Sequence, residues 1–556
     1  MRILLVASAF NSLTQRVHAE LGDRGHTMTF TQVSDSASVR SAVARHRPDL
    51  VLAPMLRTAI PEDVWSRHVC LVVHPGPPGD RGPSSLDRAV QEGCRTWGVT
   101  VLQAEAEAEM DAGPVWASAS FDVPEVGKSD LYRGEAADAA MEAVLSAVRR
   151  FASGGFIPQE QTDVEVRTRP SLRQDARRID WSTASTESVL RVLRAADSQP
   201  GVLDELLGAE WFLYGGHPED RLRGRPGEVL ATRAGAVCRA TTDGAVWIPR
   251  LRRRRTPGAP RSCRLPAVLA LGGRLAGVPE VSVPWHLPER RRTYSDIRYS
   301  EQGEVGFLRF SFPAGAMSAA QCRRLLDAYD FARSRPTSVV VLGGERDFFS
   351  NGIHLDVIEA AADPGAESWA NINAMDDLVE AVLTTTDRLV VSALAGNAAA
   401  GGAMLALAAD EVWCRAGTVL NPHYRLMGLY GSEYWTYTLP RRVGHDRAET
   451  LTRDALLVGA ASAERMGLVD RVVDASPGEF AGRVAGMAAE LSRHRAHERI
   501  ARKKATRERD EAVKPLAAYR DEELRLMRRT FDDPAAPYHA LRSAFVHKQP
   551  PPAVPV

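Results

Sequence analysis

The sequence predicts an α/β protein of several domains, and three observations support this. Short apolar runs alternate with amphipathic segments over residues 1–150, which indicates a doubly wound sheet with helices on both faces. A second series of strands and helices begins at Tyr294. A basic, proline-rich stretch from Arg250 to residue 293 lies between them and is interpreted as an interdomain connection. The chain of 556 residues is long enough for two to four domains.

The elements of the first part follow from the positions of its apolar runs. Strands are predicted at residues 3–6, 50–53, 69–73 and 97–103, and helices at residues 15–24 and 37–46. The loop after the first strand, residues 8–12, has neither a Gly-x-Gly-x-x-Gly nor a Walker pattern and is a poor phosphate cradle. These features argue against a simple dinucleotide-binding domain.

Composition narrows the class of protein further. The formal net charge is zero, so no global field favours nucleic acid or an anionic membrane. The six cysteines include no Cys-x-x-Cys pair, which favours reduced thiols in a cytoplasm over disulfides or a zinc site. The apolar N-terminus is too short for a signal peptide, and glycines interrupt the longest apolar stretch, residues 389–409. We therefore expect a cytoplasmic protein without a membrane span.

A histidine and a glycine- and proline-rich loop follow the apolar run 69–73. His74 ends that run, and residues 75–83 exclude regular structure for several residues. The carboxyl end of a strand beside such a loop is where open α/β sheets bind ligands. The loop alone leaves a second interpretation open, a turn with an incidental histidine.

A second candidate lies in the turn before the following strand. Asp111 belongs to the sequence Met-Asp-Ala-Gly-Pro, in which Gly113 and Pro114 shape the turn. A carboxylate there can reach a histidine on the neighbouring strand end, fix its tautomer and raise its basicity. An ordinary turn aspartate is the alternative.

These residues resemble the folate-dependent formyltransferases, such as those that act on methionyl-tRNA and glycinamide ribonucleotide. His74 matches the family's strand-end histidine, Arg81 and Gly82 its Arg-Gly loop, and Asp111 the aspartate of its Met-Asp-x-Gly turn. The resemblance implies that His74 and Asp111 act in catalysis and that Arg81 and Gly82 bind the cofactor 10-formyltetrahydrofolate. Gln15, early in the first helix, is either a further ligand contact or a surface residue.

The resemblance continues past the first domain but has one departure. Residues 176–182 and 190–195 are similar to the segments that join the two parts of the tRNA enzymes, so a small β-rich domain is expected at residues 200–250. The family's asparagine, two residues before the histidine, is Val72 here. That asparagine helps to stabilise the developing oxyanion. Either another donor replaces it or the acceptor of the formyl group differs.

The second half has two glycine loops, each after a predicted strand. Strands are predicted at residues 306–310, 339–344 and 388–392, and a helix at residues 319–333. Phe-Ser-Asn-Gly, residues 349–352, follows one strand, and Gly401 and Gly402 follow another. A helix start with small residues exposes N–H groups that stabilise an acyl oxyanion in a dry site. Two unrelated glycine loops are the alternative.

Both loops resemble those of the crotonase (enoyl-CoA hydratase/isomerase) superfamily, which predicts a crotonase-like ββα spiral followed by a helical tail. The resemblance implies that the N–H groups of Ile353 and Gly401 form an oxyanion hole for a thioester of coenzyme A. Hydratases place glutamates where this chain has Met404 and His423, so hydration of enoyl-CoA is not expected.

Groups that transfer protons are dense in residues 420–435. Glu433 is predicted to be the base and Tyr424 the acid, with His423 as a rival, while Tyr434 and Trp435 are interpreted as packing residues. No metal ion is predicted. In the last helix, Arg542 resembles a residue that binds coenzyme A, and solvation at the surface is the alternative.

A formyltransferase half fused to a crotonase half resembles the HypX-type (HoxX) maturation factors of nickel–iron hydrogenases. The resemblance implies a bifunctional enzyme that moves a formyl group from 10-formyltetrahydrofolate to coenzyme A and then splits formyl-CoA into carbon monoxide and CoA. Its partners would be these small molecules and other hydrogenase maturation proteins. Hydrolysis of formyl-CoA to formate, and a scaffold that binds folate and CoA without turnover, are the alternatives.

The predicted domain boundaries follow from these resemblances. They are a formyltransferase-like catalytic domain at 1–160, a small β domain at 161–270, a linker at 271–293, a crotonase-like core at 294–480 and a C-terminal helical region at 481–556.

Overall fold

The computed structural model describes residues 1–105, 110–162, 164–256, 258–259, 261–288, 290–494 and 496–550. The chain divides into two compact units. The first unit comprises residues 1–180, 187–203 and 214–216, and the second comprises residues 181–186, 204–213 and the chain from 217 onward. Both units combine sheets and helices, which confirms the predicted α/β class. The five predicted domain boundaries stay a prediction.

The first unit is built on a six-stranded sheet with the order β2-β1-β3-β4-β6-β7. Its first four strands are parallel, while β6 is antiparallel to both β4 and β7. Strands β1, β3 and β4 are aliphatic runs buried on both faces, as expected for parallel strands covered by helices. The strands of this unit are β1 (Arg2–Ala7), β2 (Thr27–Gln32), β3 (Leu50–Ala53), β4 (Cys70–His74), β5 (Asp80–Arg81), β6 (Thr96–Gln103), β7 (Val115–Asp122) and β8 (Arg167–Thr168).

The helices of the first part cover this sheet. Their bounds are α1 (Ser12–Asp23), α2 (Ser36–His46), α3 (Glu62–Trp65), α4 (Ser85–Gln91), α5 (Lys128–Arg133), α6 (Glu135–Ser153) and α7 (Thr186–Ala196). Asn11 caps α1 by accepting the Thr14 N–H, and Asp35 forms a capping box with Ser38 at the start of α2. The alanine- and valine-rich face of α6 joins the core of the sheet.

Two four-stranded sheets follow, as expected for the small β-rich region. Their orders are β16-β15-β10-β9 and β11-β14-β13-β12. Strand β15 lies in the arginine-rich stretch that was interpreted as a connection. Leu251 in this strand is fully buried, while the neighbouring Arg250 and Arg252 are partly exposed. The elements are β9 (Val202–Leu206), β10 (Ala209–Tyr214), β11 (His217–Glu219), β12 (Val229–Arg233), β13 (Ala236–Ala240), β14 (Ala245–Ile248), β15 (Arg250–Arg253), β16 (Arg264–Pro266) and α8 (Ala267–Leu271).

The remaining chain forms a second six-stranded sheet with the order β17-β18-β19-β20-β22-β25. Only the β17–β18 hairpin among its neighbouring pairs is antiparallel. The short strands β21, β23 and β24 form a separate sheet. The strands are β17 (Ile297–Gln302), β18 (Val305–Phe310), β19 (Val339–Gly343), β20 (Leu389–Leu394), β21 (Ala398–Ala399), β22 (Glu411–Arg415), β23 (Val419–Asn421), β24 (Val458–Gly459) and β25 (Arg471–Val473).

Eleven further helices among the described residues pack on these sheets and form the tail. They are α9 (Ala319–Arg333), α10 (Leu355–Ala360), α11 (Pro364–Thr384), α12 (Gly401–Leu407), α13 (Trp435–Val443), α14 (His445–Arg453), α15 (Ala460–Arg465), α16 (Phe480–Arg493), α17 (Ala496–Val513), α18 (Leu516–Asp532) and α19 (Pro537–His547). Helix α9 has the bounds that its amphipathic pattern predicts. Across the described ranges, no helix combines the length and apolarity that crossing a membrane requires.

Two helical glycines give a test of this packing. A β-carbon on Gly402, in α12, would lie 2.2 Å from the carbonyl oxygen of Ser350, whereas one on Gly486, in α16, meets no atom within 4 Å. We expect Gly402→Ala to lower the free energy of unfolding by about 1–3 kcal/mol through overpacking. Gly486→Ala should raise it by about 0.5–1 kcal/mol, since alanine favours the helix. Denaturant titration measures both changes, and equal effects would contradict the packing described.

Candidate functional site

In the first unit, His74 is held between two carboxylates. It ends strand β4, is 5% exposed, and places Nε2 3.1 Å from Asp80 Oδ2. Its Nδ1 lies 3.3 Å from Asp111 Oδ2. The structure therefore brings together the two residues that the sequence predicted to meet, His74 and Asp111. Asp80 was not predicted, although it lies in the loop that follows the histidine.

Asp111 also holds the Arg-Gly loop. Its Oδ2 accepts a hydrogen bond from the Gly82 N–H at 3.0 Å. Asp111 has a φ of +59° and Gly82 a φ of +101°, so both turns adopt left-handed backbone, which is uncommon for aspartate and readily adopted by glycine. Arg81 is half-buried in β5, whose register pairs it with Thr168 of β8. The predicted cofactor contacts Arg81 and Gly82 thus lie on the loop that the catalytic candidates organise.

Gln161 joins the loop that follows His74 to the turn that contains Asp111, and it was not predicted from the sequence. Its Oε1 accepts the Gly79 N–H at 2.9 Å, and its Nε2 donates to the carbonyl oxygens of Asp111 and Gly113 at 3.1 and 2.8 Å. The side chain is 8% exposed, and these bonds satisfy both ends of its amide. No local signal could have identified it, because its partners are about 50 and 80 residues away.

The two carboxylates set the charge of the histidine. Burial opposes protonation of His74, but hydrogen bonds and charge interactions with Asp111 and Asp80 outweigh it and raise its pKa to about 9. For Asp80, burial opposes ionisation, and the bonds from His74 and Ser85 prevail and lower its pKa. His74 is therefore an imidazolium at neutral pH, which is the form that can donate a proton.

A cavity of about 520 Å³ opens beside this group and is lined by Val72, Leu102, Gln103 and Asp111, among others. The valine that replaces the family's asparagine thus presents an apolar wall to the cavity. Gln15 lies outside this lining. Its Nε2 donates to the carbonyl oxygen of Phe10 at 3.0 Å, so it stabilises the loop before α1.

In the second unit, the structure brings the two predicted oxyanion segments together. A β-carbon on Gly352 would lie 3.2 Å from the backbone nitrogen of Gly401, so the turn before Ile353 lies against the start of α12. Gly401 is the first residue of that helix, and its N–H has no acceptor within the helix. Met404, at the place of a hydratase glutamate, is buried in the apolar core.

The Glu433 carboxyl lies at the same helix start. A β-carbon on Gly401 would lie 2.0 Å from Glu433 Oε1, so only glycine leaves room for this carboxyl. The Tyr424 hydroxyl donates to Glu433 Oε2 at 2.7 Å. Glu433 is 1% exposed and Tyr424 4%. The predicted base and acid are therefore in direct contact beside the oxyanion segments.

Glu433 sits on a left-handed turn that other carboxylates hold. Its φ is +61°, and that of Tyr434 is +57°. Asp376 accepts the Glu433 N–H at 2.8 Å, and Glu523 accepts the N–H groups of Tyr434 and Thr436 at 2.9 Å each. Neither Asp376 nor Glu523 was predicted. No local pattern identified Asp376, because its partners Ser432 and Glu433 lie more than 50 residues away in the sequence.

Burial and like charge change the acidity of this group. Burial, followed by repulsion from Asp376, raises the pKa of Glu433 well above that of an ordinary glutamate. Burial and the charge of Glu433 raise the pKa of Tyr424 well above 10. The pair can therefore hold a proton at neutral pH, with the tyrosine as the weaker acid.

The other two candidates of this unit have structural contacts. His423 Nδ1 lies 3.1 Å from the carbonyl oxygen of Asn421, and burial lowers its pKa. Arg542 is 5% exposed, and its Nε donates to Glu359 Oε2 at 2.8 Å. The arginine therefore joins α19 to α10, and its contact with coenzyme A stays a prediction. Within the described residues, no group of three or more His, Cys, Asp or Glu side chains could hold a metal ion.

The environment of His74 can be tested directly. Asp111→Asn removes one of the two negative charges that stabilise the imidazolium, so the pKa of His74 should fall from about 9 toward the 6.5 of an ordinary histidine. Proton NMR titration of the histidine Cε1–H resonance, assigned with His74→Gln, measures the change. Asp122→Asn, at the end of β7, is the matched control. A His74 pKa unchanged in Asp111→Asn would contradict the geometry.

Comparison with known proteins identifies both kinds of domain. A model of the formyl transferase C-terminal domain matches residues 171–258, and a model of the enoyl-CoA hydratase/isomerase family matches residues 301–552. Methionyl-tRNA formyltransferase of Pseudomonas paraeruginosa is 29% identical over 39% of this chain and 69% of its own.

Two relatives match almost the whole chain. Hydrogenase maturation factor HoxX of Bradyrhizobium diazoefficiens is 49% identical over 99% of this chain and 95% of its own. The crystal structure of HypX from Aquifex aeolicus in complex with tetrahydrofolic acid superposes with a TM-score of 0.94 at 41% identity, over 99% of this chain and 96% of that one. The predicted formyltransferase-like and crotonase-like parts are thereby confirmed, and the chain belongs to the HypX/HoxX family of hydrogenase maturation factors.

Proposed function

We propose that this chain makes carbon monoxide for a nickel–iron hydrogenase in two steps. The first unit transfers a formyl group from 10-formyltetrahydrofolate to the thiol of coenzyme A, and the second unit splits formyl-CoA into carbon monoxide and CoA. Family membership supports the role in maturation. The contact between Tyr424 and Glu433 at the oxyanion segments is the observation that carries the second step.

In the first step, His74 supplies the proton that the folate nitrogen N10 takes up as it leaves the formyl carbon. Its raised pKa keeps it protonated, and Asp111 and Asp80 fix the ring from both sides. The coenzyme A thiol loses its proton to solvent and attacks the formyl carbon as a thiolate, a softer nucleophile than an amine. The carbon–sulfur bond forms as the carbon–N10 bond breaks, so one proton passes overall from the thiol to N10 by way of solvent and His74. The wall of the cavity at Val72 is apolar, so this side chain offers the acceptor no hydrogen bond.

Ligand contacts for this step are proposed from the same loop. Arg81 and Gly82 are proposed to contact the folate. The crystal structure of HypX from Aquifex aeolicus in complex with tetrahydrofolic acid supports a folate ligand for this chain. The cavity beside His74, with its apolar wall, accommodates a flat heterocycle. Gln15 is proposed as a further contact, which requires that its amide leave the Phe10 carbonyl.

In the second step, Glu433 removes the hydrogen of the formyl carbon as a proton, and the carbon–sulfur bond breaks. The electron pair of the carbon–hydrogen bond completes carbon monoxide, and the sulfur leaves as thiolate and takes a proton from Tyr424. The N–H groups of Ile353 and Gly401 polarise the carbonyl oxygen. Formyl-CoA thereby yields one carbon monoxide and one CoA thiol without an oxidant. His423 is the alternative to Tyr424 as the proton donor.

Coenzyme A is proposed to contact Arg542 in α19. The ion pair between Arg542 and Glu359 neutralises the guanidinium in the structure, so a phosphate contact would share or replace this partner. Other hydrogenase maturation proteins are the proposed recipients of the product. An assembly scaffold without turnover, and hydrolysis to formate, are the outcomes that the experiments below distinguish.

The second step can be measured with synthetic formyl-CoA. Carbon monoxide trapped by reduced haemoglobin should appear with the wild-type protein and fall by about 100-fold or more in Glu433→Gln, because the base is lost. The carbon monoxide released by Tyr424→Phe should fall by about tenfold or more, because the proton donor is lost. Glu511→Gln, a partly exposed partner of Arg507, is the control. Formate in place of carbon monoxide would establish hydrolysis, and no turnover would favour a scaffold.

The two steps should respond to pH in opposite directions. His74 acts as an acid, so formyl transfer should decline as pH rises through about 9, where the imidazolium is lost. Glu433 acts as a base with a raised pKa, so decarbonylation should increase with pH at values well above those of an ordinary glutamate. Separate assays of each half-reaction across pH measure both profiles. Parallel profiles would contradict the assignment of the acid and the base.

A further inference from the structure

Helix α11 carries polar side chains on its buried face that the proposed chemistry does not use. Asn371 and Asp376 are both 0% exposed. Burying an amide or a carboxylate is unfavourable unless its hydrogen bonds are satisfied, so their partners indicate what each residue holds. The two are five residues apart, about 7.5 Å along the helix axis.

Asn371 holds the segment that contains Ile353. Its Oδ1 accepts the N–H of His354 at 3.0 Å, and its Nδ2 donates to the carbonyl oxygen of Met317 at 2.8 Å. The Met317 N–H in turn donates to the carbonyl oxygen of Gly352 at 2.9 Å. The residues on both sides of Ile353 are therefore fixed through one buried amide.

Asp376 holds the turn that contains Glu433. Its two oxygens accept the Ser432 hydroxyl at 2.9 and 2.7 Å, and Oδ1 also accepts the Glu433 N–H at 2.8 Å. The N–H of Ser432 donates to Glu433 Oε2 at 3.1 Å. Since Glu433 adopts a φ of +61°, which costs energy for a residue with a side chain, these bonds keep the carboxyl directed at Gly401.

We propose that Asn371 and Asp376 are the positioning residues of the second site, with Asn371 fixing the segment that offers the Ile353 N–H and Asp376 fixing the turn that presents the Glu433 carboxyl. This inference rests on the proposed decarbonylation and deepens it. One rigid helix thereby sets the distance between the oxyanion segment and the base, which is the quantity that catalysis by positioned groups requires.

Charged and titratable groups surround Glu433 on several elements. Tyr424 faces it from the segment that follows β23, Asp376 from α11 and Cys322 from α9. Glu523 contributes from α18, as does Arg520, whose Nε lies 4.0 Å from Asp376 Oδ2. Removing the charge of Asp376 takes away a carboxylate next to Glu433. The change should ease ionisation of Glu433 without altering the shape of the site.

Variants of Asp376 separate position from charge. Asp376→Asn keeps an acceptor for the Glu433 N–H, so kcat for carbon monoxide release should stay within about tenfold, while the midpoint of its pH profile moves about one pH unit lower. Asp376→Ala loses the acceptor, so kcat should fall about 100-fold with little change in KM for formyl-CoA. A kcat that is higher in Asp376→Asn than in Asp376→Ala shows that Asp376 acts by positioning the turn, because asparagine keeps the acceptor and loses only the charge.

Asn371→Ala should lower kcat about tenfold or more for the same reason. Thr385→Val is the matched control, because it deletes a fully buried hydroxyl that is bonded to Tyr329 at 2.8 Å, directly after the C-terminal end of the same helix. It should reduce stability without changing kcat or the pH midpoint. Circular dichroism verifies that each variant folds. A loss of kcat in Thr385→Val equal to that in Asp376→Ala would overturn the inference.

An infrared titration tests the inference without turnover. The protonated-carboxyl band that is absent in Glu433→Gln reports ionisation of Glu433, and its midpoint should move to lower pH in Asp376→Asn and stay fixed in Thr385→Val. If the wild-type protein releases no carbon monoxide but this midpoint moves, the proposed function fails, while the contact between Asp376 and Glu433 on which the inference rests stands. A midpoint that does not move in Asp376→Asn overturns it.

Discussion

The hydrogen bond between Tyr424 and Glu433 is the interaction on which the second half of the molecule depends. Both groups are buried, so their hydrogen bond to each other compensates for lost contact with water, and the carboxyl is directed at the start of α12. A glutamate in this place requires left-handed backbone, glycine at the helix start and acceptors for the turn's N–H groups. Glu433 has the left-handed backbone, with a φ of +61°, and Gly401 is the glycine at the helix start. Asp376 and Glu523 accept the N–H groups of the turn.

The first half also buries an ionisable group, but there the group is a cation, the His74 imidazolium. A buried imidazolium is unfavourable unless carboxylates surround it, and His74 has one at each ring nitrogen. The same Asp111 that contacts the ring also orders the Arg-Gly loop through Gly82. The first unit keeps His74 protonated above neutral pH, and the second unit raises the pKa of the Glu433 carboxyl. The proposed acid and the proposed base therefore lie in two separate environments.

Local sequence was sufficient to predict the strand ends and the residues on them. Apolar runs mark the buried parallel strands, and the glycines after them mark loops at the sheet edge, so the sequence alone places His74, Asp111 and Gly401. Asp376 and Gln161 could not. Their partners lie about 50 to 80 residues away in sequence, and a mid-helix aspartate or a loop glutamine has no local pattern that indicates which backbone it will hold.

Transfer of one labelled carbon through the whole chain tests the central claim most directly. The purified protein is incubated with 10-formyltetrahydrofolate labelled with carbon-13 in the formyl group, with and without coenzyme A, and the gas and solution are analysed by mass spectrometry. The account predicts labelled carbon monoxide only when coenzyme A is present, and no gain in labelled formate. Labelled formate with unlabelled or no carbon monoxide would contradict it.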